Sequence, residues 1–69
     1  MDDIIEYSLT EIDKGIPFDY KIPERIEHYE KCIKFYQESN RVLSVEERGG
    51  IIVCLAAKIL RLERIINDY

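Results

Sequence analysis

Gly49-Gly50-Ile51-Ile52-Val53-Cys54-Leu55-Ala56-Ala57 carries no charged side chain, and whether it is helix or strand decides the fold. Its β-branched residues allow a strand. Against that stand Ala56-Ala57 and the series Ile52, Leu55, Ile59, Leu62, Ile66 and Tyr69, which continues at helical spacing. A helix that is apolar all the way round must be covered all the way round. A chain of 69 residues has little else to cover it with, so the surplus predicts a second copy or a different protein. Ile51, Ile52, Leu55 and Ile59, together with Phe35, are the residues expected at that interface.

Upstream, Ser44-Val45-Glu46-Glu47 is a capping box, so the helix should run from Val45 nearly to Tyr69. Asn40 suits a helix C-cap, and the short link between them predicts a tight turn joining two antiparallel helices. The partner helix should begin at Pro23, with Glu24 and Glu27 at the positive end of its dipole, and end near Ser39. Ile26, Tyr29, Ile33 and Tyr36 form its main apolar stripe. Phe35 and Cys32 fall outside it, which predicts a second buried face. In such a hairpin, residues whose numbers sum to the mid-eighties face each other, so Gly49 and Gly50 should lie against the rings of Phe35 and Tyr36. That packing would offset the ~1 kcal/mol that each glycine costs a helix.

Asp3-Ile4-Ile5-Glu6 is another capping box, and Lys14-Gly15 is a stop in which glycine turns left-handed. A short helix is therefore expected over Ile4–Lys14. The connector Ile16-Pro17-Phe18-Asp19-Tyr20-Lys21-Ile22-Pro23 alternates large apolar residues between prolines, which predicts an extended strap with Ile16, Phe18, Tyr20 and Ile22 on one side. The expected architecture is all-α. A single domain, residues 1–69, comprises an N-terminal helix (1–15), the strap (16–23) and a helical hairpin (24–69), assembled as a helical-bundle oligomer.

The net charge of −4 is unevenly placed. Up to Glu30 nine acidic residues stand against three basic ones, whereas from Lys31 onward seven basic residues stand against five acidic ones. Double-stranded nucleic acid is an unfavourable partner for such a chain, since binding it needs a net basic footprint. No segment approaches the ~18 apolar residues of a membrane span. Met1-Asp2-Asp3 lacks the basic start of a secretory signal, so the expected compartment is the cytoplasm.

Chemistry-bearing groups are few. His28 and Cys32 are four apart, and the hairpin register brings Cys54 near, the outline of a metal site that lacks Cys-x-x-Cys or His-x-x-x-His support. Buried cysteines are ordinary small apolar residues, and neither a metal, a resident cofactor nor an enzymatic activity is expected. Lys58, Arg61 and Arg64 recur every third residue. With Tyr20 and Lys21 they are the candidate contacts for a small anionic ligand.

Two short segments resemble known families. Phe18-Asp19-Tyr20-Lys21-Ile22-Pro23 and Tyr29-Glu30 resemble the entry to the phage hairpin proteins that sequester cyclic-nucleotide immune signals. That resemblance implies an oligomeric, non-catalytic sponge with Tyr20 and Lys21 near the ligand. The tail Leu62-Glu63-Arg64-Ile65-Ile66-Asn67-Asp68-Tyr69 resembles that of the hairpin phosphatases acting on aspartyl-phosphate response regulators. Their Ser-Gln-Glu-Leu-Asp signature falls on Ile59-Leu60-Arg61-Leu62-Glu63, where only Leu62 agrees. The function expected from the whole sequence is a non-enzymatic homo-oligomer, such as a phage inhibitor, that binds and regulates a larger protein. The alternative is an oligomeric sponge for a small anion such as a cyclic nucleotide.

Overall fold

The computed structural model describes residues 4–38 and 43–68. The expected capping of the first helix by Asp3 and the C-cap at Asn40 lie outside them, as do Ser39 and Tyr69. Three helices account for most of the described chain: α1 (Ile4–Lys14), α2 (Ile22–Glu38) and α3 (Val45–Asn67), with no strand among the described residues.

Ser44 starts α3 as its sequence requires. Its hydroxyl accepts from the Glu47 amide, and the Glu47 carboxylate accepts from the Ser44 amide, both at 3.1 Å, so two otherwise orphaned donors are satisfied. α2 starts similarly, its Glu24 carboxylate accepting from the Lys21 amide at 2.7 Å.

α2 lies antiparallel to α3, with the Arg48 guanidinium donating to the Tyr36 carbonyl at 3.3 Å. α1 runs parallel to α3 instead. Ile5 packs beside Gly50 at one end, and Asp13 meets Lys58 at 3.4 Å at the other. The helices thus clasp α3 from two sides. Between them lies a core of Ile16, Tyr29, Ile51, Leu55 and Ile59, extended by half-buried Ile5, Leu9, Ile12, Ile26 and Ile33.

Five expectations are corrected. Ile51 and Leu55 have no exposed surface and Ile59 is 9% exposed, so these three expected interface residues are core positions of their own chain; α1 supplies the cover that the hairpin alone lacks. Gly50 accommodates Ile5 of α1, whose Cδ1 would stand 2.7 Å from an added Cβ, and a Cβ on Gly49 would touch nothing within 4 Å among the described residues. Neither glycine receives the ring of Phe35 or Tyr36. Phe35 is 61% exposed, so of the two residues expected on a second buried face only Cys32 packs against the core. The connector turns, with the Tyr20 amide donating to the Pro17 carbonyl at 3.0 Å. Ile16 is therefore buried and Phe18 fully presented to solvent, 94% exposed. Gly15 also ends α1 without a positive φ, its amide bonding back to Glu11 and Ile12.

The two glycines separate in their consequences. In urea denaturation at low protein concentration, Gly49→Ala is expected to raise stability by about 1 kcal/mol through helix propensity alone. Gly50→Ala should gain less, because Ile5 must move. Equal gains at the two sites would contradict the docking of α1.

Candidate functional site

α1 and α2 converge near the connector and diverge toward the other end of α3. At the closed end the Tyr29 hydroxyl donates to Asp13 Oδ1 at 2.7 Å, and His28 Nε2 lies 3.2 Å from the Ile12 carbonyl. At the open end the gap is an apolar cleft of about 230 Å³, lined by Ile4, Tyr7, Ser8, Phe35, Tyr36, Leu43 and Arg48. Phe35 and Tyr36 meet edge to face, 5.2 Å between centroids, a favoured aromatic geometry. Tyr7 is 62% exposed. Arg48 enters from α3. One of its terminal nitrogens bonds to the Tyr36 carbonyl, while its Nε is buried with no partner among the described residues. A buried N–H without an acceptor is unfavourable by roughly 1–3 kcal/mol, so an acceptor brought by a ligand would relieve it.

A second depression, about 220 Å³, is lined by Arg25, Tyr29, Lys58, Arg61 and Leu62. Three cations line it, and one of them, Lys58, donates to Asp13, which also accepts from the Tyr29 hydroxyl. Arg25 is fixed by its Nε donating to the Tyr20 carbonyl at 3.1 Å. Of the expected anion contacts the structure brings together Lys58 and Arg61 only. Steps of three residues drift about 60° around a helix, so Arg64 has turned away from Lys58. Tyr20 lines a separate hollow with Glu24, Glu27, His28 and Lys31, and Lys21 does not border the basic depression.

Sequence reasoning missed Arg25, although the hairpin register pairs it with Arg61. It also missed Tyr7 and Arg48, whose convergence depends on the parallel docking of α1, for which the chain carries no local signal.

Cys32 Sγ is 3.9 Å from His28 Nε2. Burial pushes the thiol pKa up, which keeps it protonated and poorly nucleophilic, and the ring nitrogen nearest it also faces the Ile12 carbonyl. Both cysteines are free. Among the described residues, no group of three or more His, Cys, Asp or Glu side chains is placed to hold a metal ion. No helix among them is long and apolar enough to cross a membrane.

No family model, curated protein or solved structure matches this chain.

Tyr29 is the titratable group most altered by the fold. Burial first, then the hydrogen bond to Asp13, pushes its pKa up to about 12 from 10.0. A phenol that holds its proton more tightly when folded stabilises the protein below pH 10, and that contribution falls away as pH rises toward 12. Stability should therefore drop between about pH 10 and about pH 12 more steeply in the wild type than in Tyr29→Phe, measured by urea denaturation. Parallel curves would contradict the burial of Tyr29 together with its bond to Asp13.

Proposed function

We propose that this protein is a non-enzymatic regulator that binds a larger protein, acting in the cytoplasm as a homo-oligomer in the manner of a phage-encoded inhibitor. The carrying observation is the aromatic cleft between α1 and α2, with the Arg48 Nε at its wall unpartnered among the described residues. Such a cleft suits an apolar side chain of a partner, followed by a carboxylate or carbonyl that takes the guanidinium proton. Exposed aromatic residues around an arginine are also the usual composition of binding hot spots.

Phe35 can be changed without touching the core, since it is 61% exposed. Phe35→Glu is expected to keep the thermal transition of the wild type and to abolish stoichiometric co-purification of a host protein. A partner retained at wild-type yield by Phe35→Glu would contradict the cleft as the binding surface.

A second reading is an oligomer that sequesters a small anion such as a cyclic nucleotide. It is favoured by Arg25, Lys58 and Arg61 lining one depression beside Tyr29. Calorimetric titration with a cyclic dinucleotide should then show binding that Arg61→Glu reduces at least tenfold, corresponding to about 1.4 kcal/mol. Absence of heat at millimolar ligand would remove this reading.

A further inference from the structure

We propose that the uncovered side of α3 is a self-docking face on which α3 of a second copy lies antiparallel. This rests on the self-association in the function proposed above and names the surface responsible for it. Val45, Gly49, Val53, Ala56 and Leu60 follow one another at steps of four and three, so they form one stripe along the helix. The stripe points away from both α1 and α2: Val45 is 74% exposed, Val53 67% and Leu60 61%.

Gly49 gives this stripe a meaning beyond exposed apolar area. Gly50 has an evident reason in Ile5. Gly49 has none among the described residues, where an added Cβ would meet no atom within 4 Å, although glycine weakens a helix interior. A close-packed neighbour arriving from outside would supply the reason.

Charge selects the orientation. Glu46 and Arg64 are about five full turns apart, so they stand on the same flank of the stripe at opposite ends. A parallel pair of α3 helices would gather Glu46 and Glu47 of both copies at one end and both Arg64 at the other, so that no Glu46 meets an Arg64. A two-fold antiparallel pair, with facing residues summing to about 110, sets each Glu46 beside Arg64 of the other copy, twice over. The same register seats each Leu60 over Gly49 of the other copy, and each Val53 against its Ala56 and Ala57. The bulkiest exposed side chain thus meets the position without one. The contact from Val45 to Leu60 is about 22 Å long. It is small beside a standard interface of ~1,600 Å², so the dimer should dissociate in the micromolar range.

Sedimentation equilibrium of the full chain, from about 1 µM to about 500 µM, tests this. Wild-type mass should rise from 8.2 kDa toward twice that value, and Val53→Glu should remain monomeric throughout. Glu46→Arg and Arg64→Glu should each weaken the dimer about tenfold, and the double exchange should restore it, a recovery that a merely structural effect would not give. A wild type monomeric at every concentration would overturn both this face and the oligomeric part of the proposed function. Self-association indifferent to Val53→Glu and to the charge exchange would overturn the face alone, leaving assembly to another surface. Circular dichroism shows whether Val53→Glu is folded; if it is not, the charge exchange decides.

Discussion

Burial of one column of α3, Ile51, Leu55 and Ile59, between two helices that approach from different sides is the constraint the molecule depends on. Ile51 and Leu55 have no accessible surface at all. At about 2–5 kcal/mol for truncating a buried leucine, a domain this small has no margin to lose either. The hairpin of α2 and α3 covers part of the column, and α1, brought back by the turn at Pro17 to Tyr20, covers another part. Without α1 the column would face water, and the polar ties at the closed end, Tyr29 to Asp13 and His28 to Ile12, would have no partner.

The surfaces left over follow from this clasp. Because α1 and α2 are tied together near the connector and separate away from it, a wedge opens between them and its walls are whatever apolar residues each helix has left. Those are Tyr7, Phe35 and Tyr36, with Arg48 reaching in from α3. Because both covering helices lie toward the column, the opposite side of α3 has no cover, and there the apolar stripe from Val45 to Leu60 remains. The basic depression arises at the closed end, where α2 and α3 bring Arg25, Lys58 and Arg61 together and Asp13 offsets only part of their charge.

Local signals in the sequence were read well, and non-local ones poorly. The capping box at Ser44, the stop at Lys14 and the 3.6-residue periodicity place α1 at Ile4–Lys14, and α2 and α3 to within a residue or two. Each signal acts within a turn or two of the residues that carry it. What could not be read was the destination of α1. Its stripe of Ile5, Leu9 and Ile12 states that it must dock, not where, and its parallel docking reassigns Ile51, Leu55 and Ile59 from interface to core. The connector failed for a related reason. Alternating apolar residues were read as one extended face, while Pro17 and Asp19 permit a turn that buries Ile16 and leaves Phe18 in water.

α3, uncharged around its circumference from Gly49 to Ala57, therefore has one side consumed by its own chain and one side left open. Residue-resolved carbene footprinting at a protein concentration low enough to keep copies apart tests that division most directly. Strong labelling of Val53 and Leu60 with none at Ile51 and Leu55 is the predicted pattern; labelling of Leu55 at the level of Val53 would contradict it.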